Sequence, residues 1–109
     1  MTSLLSPLID ICPASELPPG ATKTVTWEDV EVGVVNCDGS LFAIEDRCSH
    51  DDGILFEGIV DFAKCVVECP RHGSEFDLRT GKPVNLPAYV PVDTFPVFVE
   101  DGTVKVEID

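Results

Sequence analysis

Apolar residues come in short runs rich in Val, Ile and Phe, cut by Gly, Pro and Asp, and no stretch sustains a 3.6-residue period long enough for a helix. The pattern predicts strand after strand. The plainest pair runs Val30 to Cys37 and returns through Ser40 to Glu45, because Asp38-Gly39 supplies two residues that tolerate positive φ in a tight turn. A second pair closes the chain, Pro96 to Glu100 turning at Asp101-Gly102 into Thr103 to Ile108. Regular short strands of this kind predict an all-β fold, a small antiparallel sandwich or barrel.

Between these hairpins, Arg47 to Gly81 differs in texture: Gly53, Gly58, Gly73 and Gly81 mark turns, and every histidine of the protein lies inside it. We expect a small subdomain at about 47–81, inserted between strands and carrying the function. Within it, Gly58 to Asp61 and Cys65 to Glu68 predict a short hairpin separating two loops, while Ser15 to Gly20 reads as a turn-rich connector.

Composition narrows the classes. At 109 residues, 44% apolar and 25% charged, residues 1–109 are expected to form one folded domain with a real core. Twenty acidic against seven basic residues give a net charge of −13, which repels nucleic acid and anionic membranes and suits a basic protein partner. Every apolar run is broken well short of the roughly 20 residues a membrane helix needs. Met1 to Pro13 contains no Lys or Arg, so no secretory signal is expected and the cytoplasm is the expected compartment. Five cysteines, an odd number at irregular spacing, do not read as a disulfide framework. Cys12, Cys37 and Cys65 are expected to be small buried thiols with no role.

The remaining two cysteines invite a metal reading. Cys48-Ser49-His50 is followed, after 18 intervening residues, by Cys69-Pro70-Arg71-His72-Gly73, and these two pairs use both histidines of the chain. Two thiolates and two imidazoles also suit tetrahedral zinc. Zinc fingers, however, usually group two Cys and then two His, whereas here Cys and His alternate.

Cys-x-His, a gap of somewhat under twenty residues, then Cys-x-x-His-Gly resembles the signature of the Rieske family. The likeness extends to Gly73-Ser74 after His72, and to Leu86-Pro87-Ala88, where that family places a proline-containing loop over its cluster. The resemblance implies a Rieske-type antiparallel sandwich or barrel and one [2Fe–2S] cluster, with Cys48 and Cys69 on one iron and His50 and His72 on the other. Two ferric ions and two sulfides leave two positive charges, which two thiolates cancel, so the oxidised site is neutral where four thiolates would leave it anionic. Adding an electron then costs less, which accounts for Rieske potentials of roughly −150 to +300 mV against about −400 mV for plant-type ferredoxins.

The chain departs from the membrane-complex branch of that family. The two extra cysteines that typically link the ligand loops there correspond to Gly53 and Arg71, and the tyrosine that donates to a ligand sulfur corresponds to Phe76, although Ser74 keeps its hydroxyl. The resemblance therefore implies the ferredoxin branch, with a potential in the lower half of the range. A Rieske oxygenase needs a further iron on two His and a carboxylate, and no histidine is left over, so the chain is not expected to be an enzyme. The implied role is to carry electrons from an NAD(P)H-dependent flavin reductase to a terminal ring-hydroxylating oxygenase. The small subunit of an assimilatory nitrite reductase and a zinc-stabilised protein-binding module remain as alternatives.

Overall fold

The computed structural model describes residues 8–47, 54–70, 73–85 and 90–108. Among these described residues ten strands form: β1 (Leu8–Pro13), β2 (Thr22–Trp27), β3 (Val30–Cys37), β4 (Ser40–Glu45), β5 (Val60–Asp61), β6 (Val66–Glu68), β7 (Glu75–Asp77), β8 (Thr94–Phe95), β9 (Val97–Glu100) and β10 (Thr103–Glu107). They make three antiparallel sheets, ordered β2-β3-β4-β8, β1-β10-β9 and β5-β6-β7. Among the described residues the helical pieces are two 3-10 turns, Ala14–Glu16 and Leu55–Glu57, and no helix is long and apolar enough to cross a membrane.

Both Asp-Gly turns form as the sequence predicts. Cys37 pairs with Ser40 and Glu100 with Thr103, leaving two-residue loops whose Asp38, Gly39, Asp101 and Gly102 all have positive φ. A third hairpin, without the glycine of the other two turns, joins β2 to β3: Trp27 pairs with Val30, and Glu28 takes φ +54°. That conformation is costlier for a glutamate than for a glycine, so pairing along both strands imposes it.

The four-stranded sheet is the middle layer, because β3 is buried on both faces from Val32 to Cys37. Val32 and Val34 pack with Leu17, Ala43, Val104, Val106 and Ile108 beneath the β1-β10-β9 sheet. Val35 and Cys37 pack from the opposite face with Ile44, Leu55, Val67, Phe76 and Leu78, beneath the small β5-β6-β7 sheet. Gly33 faces this second side, where the Phe56 ring fills the space a side chain would need. The small sheet also continues past Gly81, since Phe76 bridges to Pro83 and the Val84 N–H donates to the Glu75 carbonyl at 2.8 Å.

Two of the three cysteines outside the motif depart from the expectation of separate thiols: Cys37 and Cys65 form a disulfide, with Cα atoms 5.8 Å apart. They are 28 positions apart in sequence, and only the folding of the β5–β6 turn onto the end of β3 brings them together. Cys12 is a free, buried thiol as expected. Burial, with Glu16 adding to it and Lys23 opposing it, pushes its pKa up, so it stays protonated and unreactive.

Candidate metal centre

Both loops that carry the Cys/His motif adjoin elements packed on this second face. The first leaves β4 through Asp46, a carboxylate only 5% exposed. Its backbone N–H donates to the Glu31 carbonyl at 2.7 Å, and its Oδ1 accepts the Phe56 N–H at 2.8 Å from the far side of the loop. Cys48 and His50, with Asp51, Asp52 and Gly53, lie outside the described residues.

The second loop begins where β6 runs into Cys69, which is completely buried. The Cys69 N–H donates to the Ser74 carbonyl at 2.7 Å, and the Cys69 carbonyl accepts the Gly73 N–H at 3.0 Å. These bonds close a tight turn, and Gly73 completes it with φ +76°, a conformation that costs glycine little. Arg71 and His72 lie outside the described residues, as does Leu86-Pro87-Ala88. The base of that proline-containing segment is described: Asn85 Oδ1 accepts the Glu75 N–H at 2.6 Å, its Nδ2 donates to the Gly73 carbonyl at 3.4 Å, and the Val92 N–H donates to the Gly81 carbonyl at 2.8 Å.

What brings the two loops to one end is Gly58. A Cβ there would run into the Glu68 carbonyl and lie 3.0 Å from the Pro70 ring, so only glycine lets the strand leaving the first loop press against the start of the second. The Glu68 N–H donates to the Ile59 carbonyl at 2.8 Å and fixes the contact. In the sequence Gly58 signals only a turn, and neither Asp46 nor Asn85 stands out, since acidic and amide residues in loops are commonplace.

Of the four motif residues the structure describes Cys69 alone, and the described residues by themselves hold no group of three His, Cys, Asp or Glu placed for a metal. The surroundings fit a thiolate-bound iron–sulfur cluster nonetheless. Cys69 is shut from water in the same apolar layer as Val67 and Phe76, on a turn fixed by its own backbone, and the sequence supplies a second motif cysteine and two histidines of the right chemistry. Beside the two loops the outer face of the small sheet presents one row, Ile59, Glu68, Glu75 and Val84, set by the Glu68–Glu75 pairing and the flanking backbone bonds. Ile59 is 71% and Val84 51% exposed.

The profile of the Rieske [2Fe-2S] domain matches residues 8–96. The ferredoxin subunit of 3-phenylpropionate/cinnamic acid dioxygenase from Photorhabdus laumondii is 39% identical over 98 residues, covering 90% of this chain and 91% of that protein. Among solved structures, the ferredoxin of carbazole 1,9a-dioxygenase from Nocardioides aromaticivorans IC177 superposes with a TM-score of 0.87 at 31% identity, covering 94% of this chain and 98% of that one. A complex of reduced oxygenase and oxidised ferredoxin in carbazole 1,9a-dioxygenase matches with a TM-score of 0.86 at 35% identity, covering 92% of each chain. The chain belongs to the Rieske [2Fe–2S] family, whose domain carries one such cluster.

Proposed function

We propose that this protein is the one-electron carrier of a multicomponent ring-hydroxylating dioxygenase, with Cys48 and Cys69 binding one iron and His50 and His72 the other. The cluster, when bound, supplies a reversible one-electron couple; the protein's part is to hold the loops and to exclude water from the thiolates. The observation that carries the reading is the junction of the two ligand loops through Gly58 and Glu68 in a chain of this family. Exposed Ile59 and Val84 flanking Glu68 and Glu75 beside those loops suit a partner with apolar and cationic groups. The electron donor in this reading is an NAD(P)H-dependent flavin reductase, the acceptor a terminal Rieske oxygenase, and the setting the cytoplasm, where NAD(P)H is available. Dioxygenase ferredoxin subunits among the relatives favour this over a nitrite reductase subunit or a zinc module.

The test is the EPR spectrum of the dithionite-reduced protein, together with iron and acid-labile sulfide content. A rhombic signal with average g of roughly 1.9 is expected from mixed Cys/His ligation. A colourless, EPR-silent protein holding one zinc would overturn the reading.

Phe76 offers a finer check. Its ring is completely buried beside Cys69 in the small sheet's layer, so Phe76→Tyr places a hydroxyl there. One donated hydrogen bond of about 1 kcal/mol to a ligand sulfur is expected to raise the midpoint by roughly 40 mV for a one-electron couple. Protein-film voltammetry measures it, and an unchanged or lowered midpoint counts against the argument.

A further inference from the structure

Among the described residues, a side-chain hydrogen bond ties the root of each loop: Asp46 at the first and Asn85 at the second. Leu55–Glu57 is a 3-10 turn whose own leading residue, Ile54, gives no side-chain cap, so the Phe56 N–H needs an acceptor from elsewhere. Asp46 supplies it across the whole first loop, from a position ten residues earlier. A carboxylate buried as deeply as this one is tolerated only where hydrogen bonds offset its lost hydration. Phe56 is thereby held twice, by its N–H on Asp46 and by its ring over Gly33, which pins the far end of the first loop to the middle sheet.

At the second loop Asn85 takes the matching place. Its amide accepts from Glu75 and donates to Gly73, on either side of buried Ser74, and so continues the pairing between β7 and the Pro83–Val84 segment by one side-chain step. The exit of the turn that begins at Cys69 is tied to the base of the proline-containing segment.

We propose that Asp46 and Asn85 are positioning residues for the cluster, the Asp46–Phe56 and Asn85–Glu75/Gly73 hydrogen bonds setting the spacing of the two ligand loops. The proposal rests on the ligand assignment given above. Each iron takes one ligand from each loop in that assignment, so a change in loop spacing strains both irons at once.

The experiment begins with the wild-type holoprotein: absence of the Rieske EPR signal there defeats the ligand assignment, not the fastening. With the signal present, Asp46→Ala, Asp46→Asn and Asn85→Ala are compared by g-anisotropy and by the rate of iron loss to a ferrous chelator, with thermal unfolding of each apoprotein as the structural control. Asp46→Ala is expected to shift the g-values and to hasten iron loss about tenfold, the worth of one hydrogen bond to a charged acceptor. Asp46→Asn, whose amide oxygen still accepts the Phe56 N–H, is expected to stay within about twofold of wild type, and Asn85→Ala, at an exposed site, to hasten loss about threefold with wild-type unfolding. Wild-type lines and rates in Asp46→Ala overturn the proposal, as does an Asp46→Asn protein as impaired as Asp46→Ala. If Asp46→Ala does not fold, unchanged lines and rates in Asn85→Ala overturn it.

Discussion

Severing the Cys37–Cys65 disulfide, by a dithiol reductant or by Cys37→Ser with Cys65→Ser, is expected to cost about 3–4 kcal/mol of unfolding free energy. The bond spans 28 positions, and closing a loop of that length removes this much configurational entropy from the unfolded chain in the chain-entropy account. Its placement gives the number structural meaning. One end finishes β3 in the middle sheet, the other closes the turn between β5 and β6, and both side chains are buried in the layer that joins the small sheet to the rest. No other covalent link ties these two regions among the described residues. For a domain of this size such a loss lowers the thermal midpoint by more than about 10 °C. Scans with and without reductant measure it, at matched cluster content because a bound cluster adds its own stabilisation. Thiol titration of the unfolded protein confirms the state of the bond, and equal midpoints would sink the argument.

Gly81→Ala is expected to cost roughly 3 kcal/mol, of which only about 1–2 kcal/mol belongs to the backbone. Gly81 has φ +78°, a conformation that costs an L-residue about that much. The rest is steric: an alanine Cβ would run into the Val92 carbonyl and come within 3.1 Å of the Thr94 methyl, at the point where the Val92 N–H donates to the Gly81 carbonyl. That junction is the neck of the segment from Lys82 to Pro91, so opening it loosens the base of the proline-containing loop as well as the core at Val92. Gly39→Ala is the internal control, since Gly39 has φ +97° and its Cβ would meet nothing within 4 Å. Urea unfolding of the two variants separates the contributions: equal losses would show that the Val92 contact adds nothing.

Some of the architecture could be read from the chain because the physics behind it is local. Asp38-Gly39 and Asp101-Gly102 dictate their hairpins through backbone freedom confined to two residues, and the Val60–Val67 pairing falls within the Gly58–Asp61 and Cys65–Glu68 segments that predict the small hairpin. The β2–β3 hairpin is not legible because Glu28-Asp29 lacks the glycine that marks the other two turns. Pairing of β1 with β10, at opposite ends of the chain, leaves no local mark.

The same division governs the metal centre. The proposed ligands Cys48, His50, Cys69 and His72 stand out in sequence as two Cys/His pairs, because the chemistry of iron–sulfur ligation demands particular atoms and spares few substitutes. Their family, their class of cofactor and the absence of a third histidine were therefore determined by the sequence alone. The supports were not: Gly58 matters through one carbonyl of Glu68, Asp46 through the N–H of Phe56, Asn85 through Glu75 and Gly73, and Cys37 through Cys65. These depend on packing across the molecule, since each joins segments ten or more positions apart that no short stretch of sequence brings together.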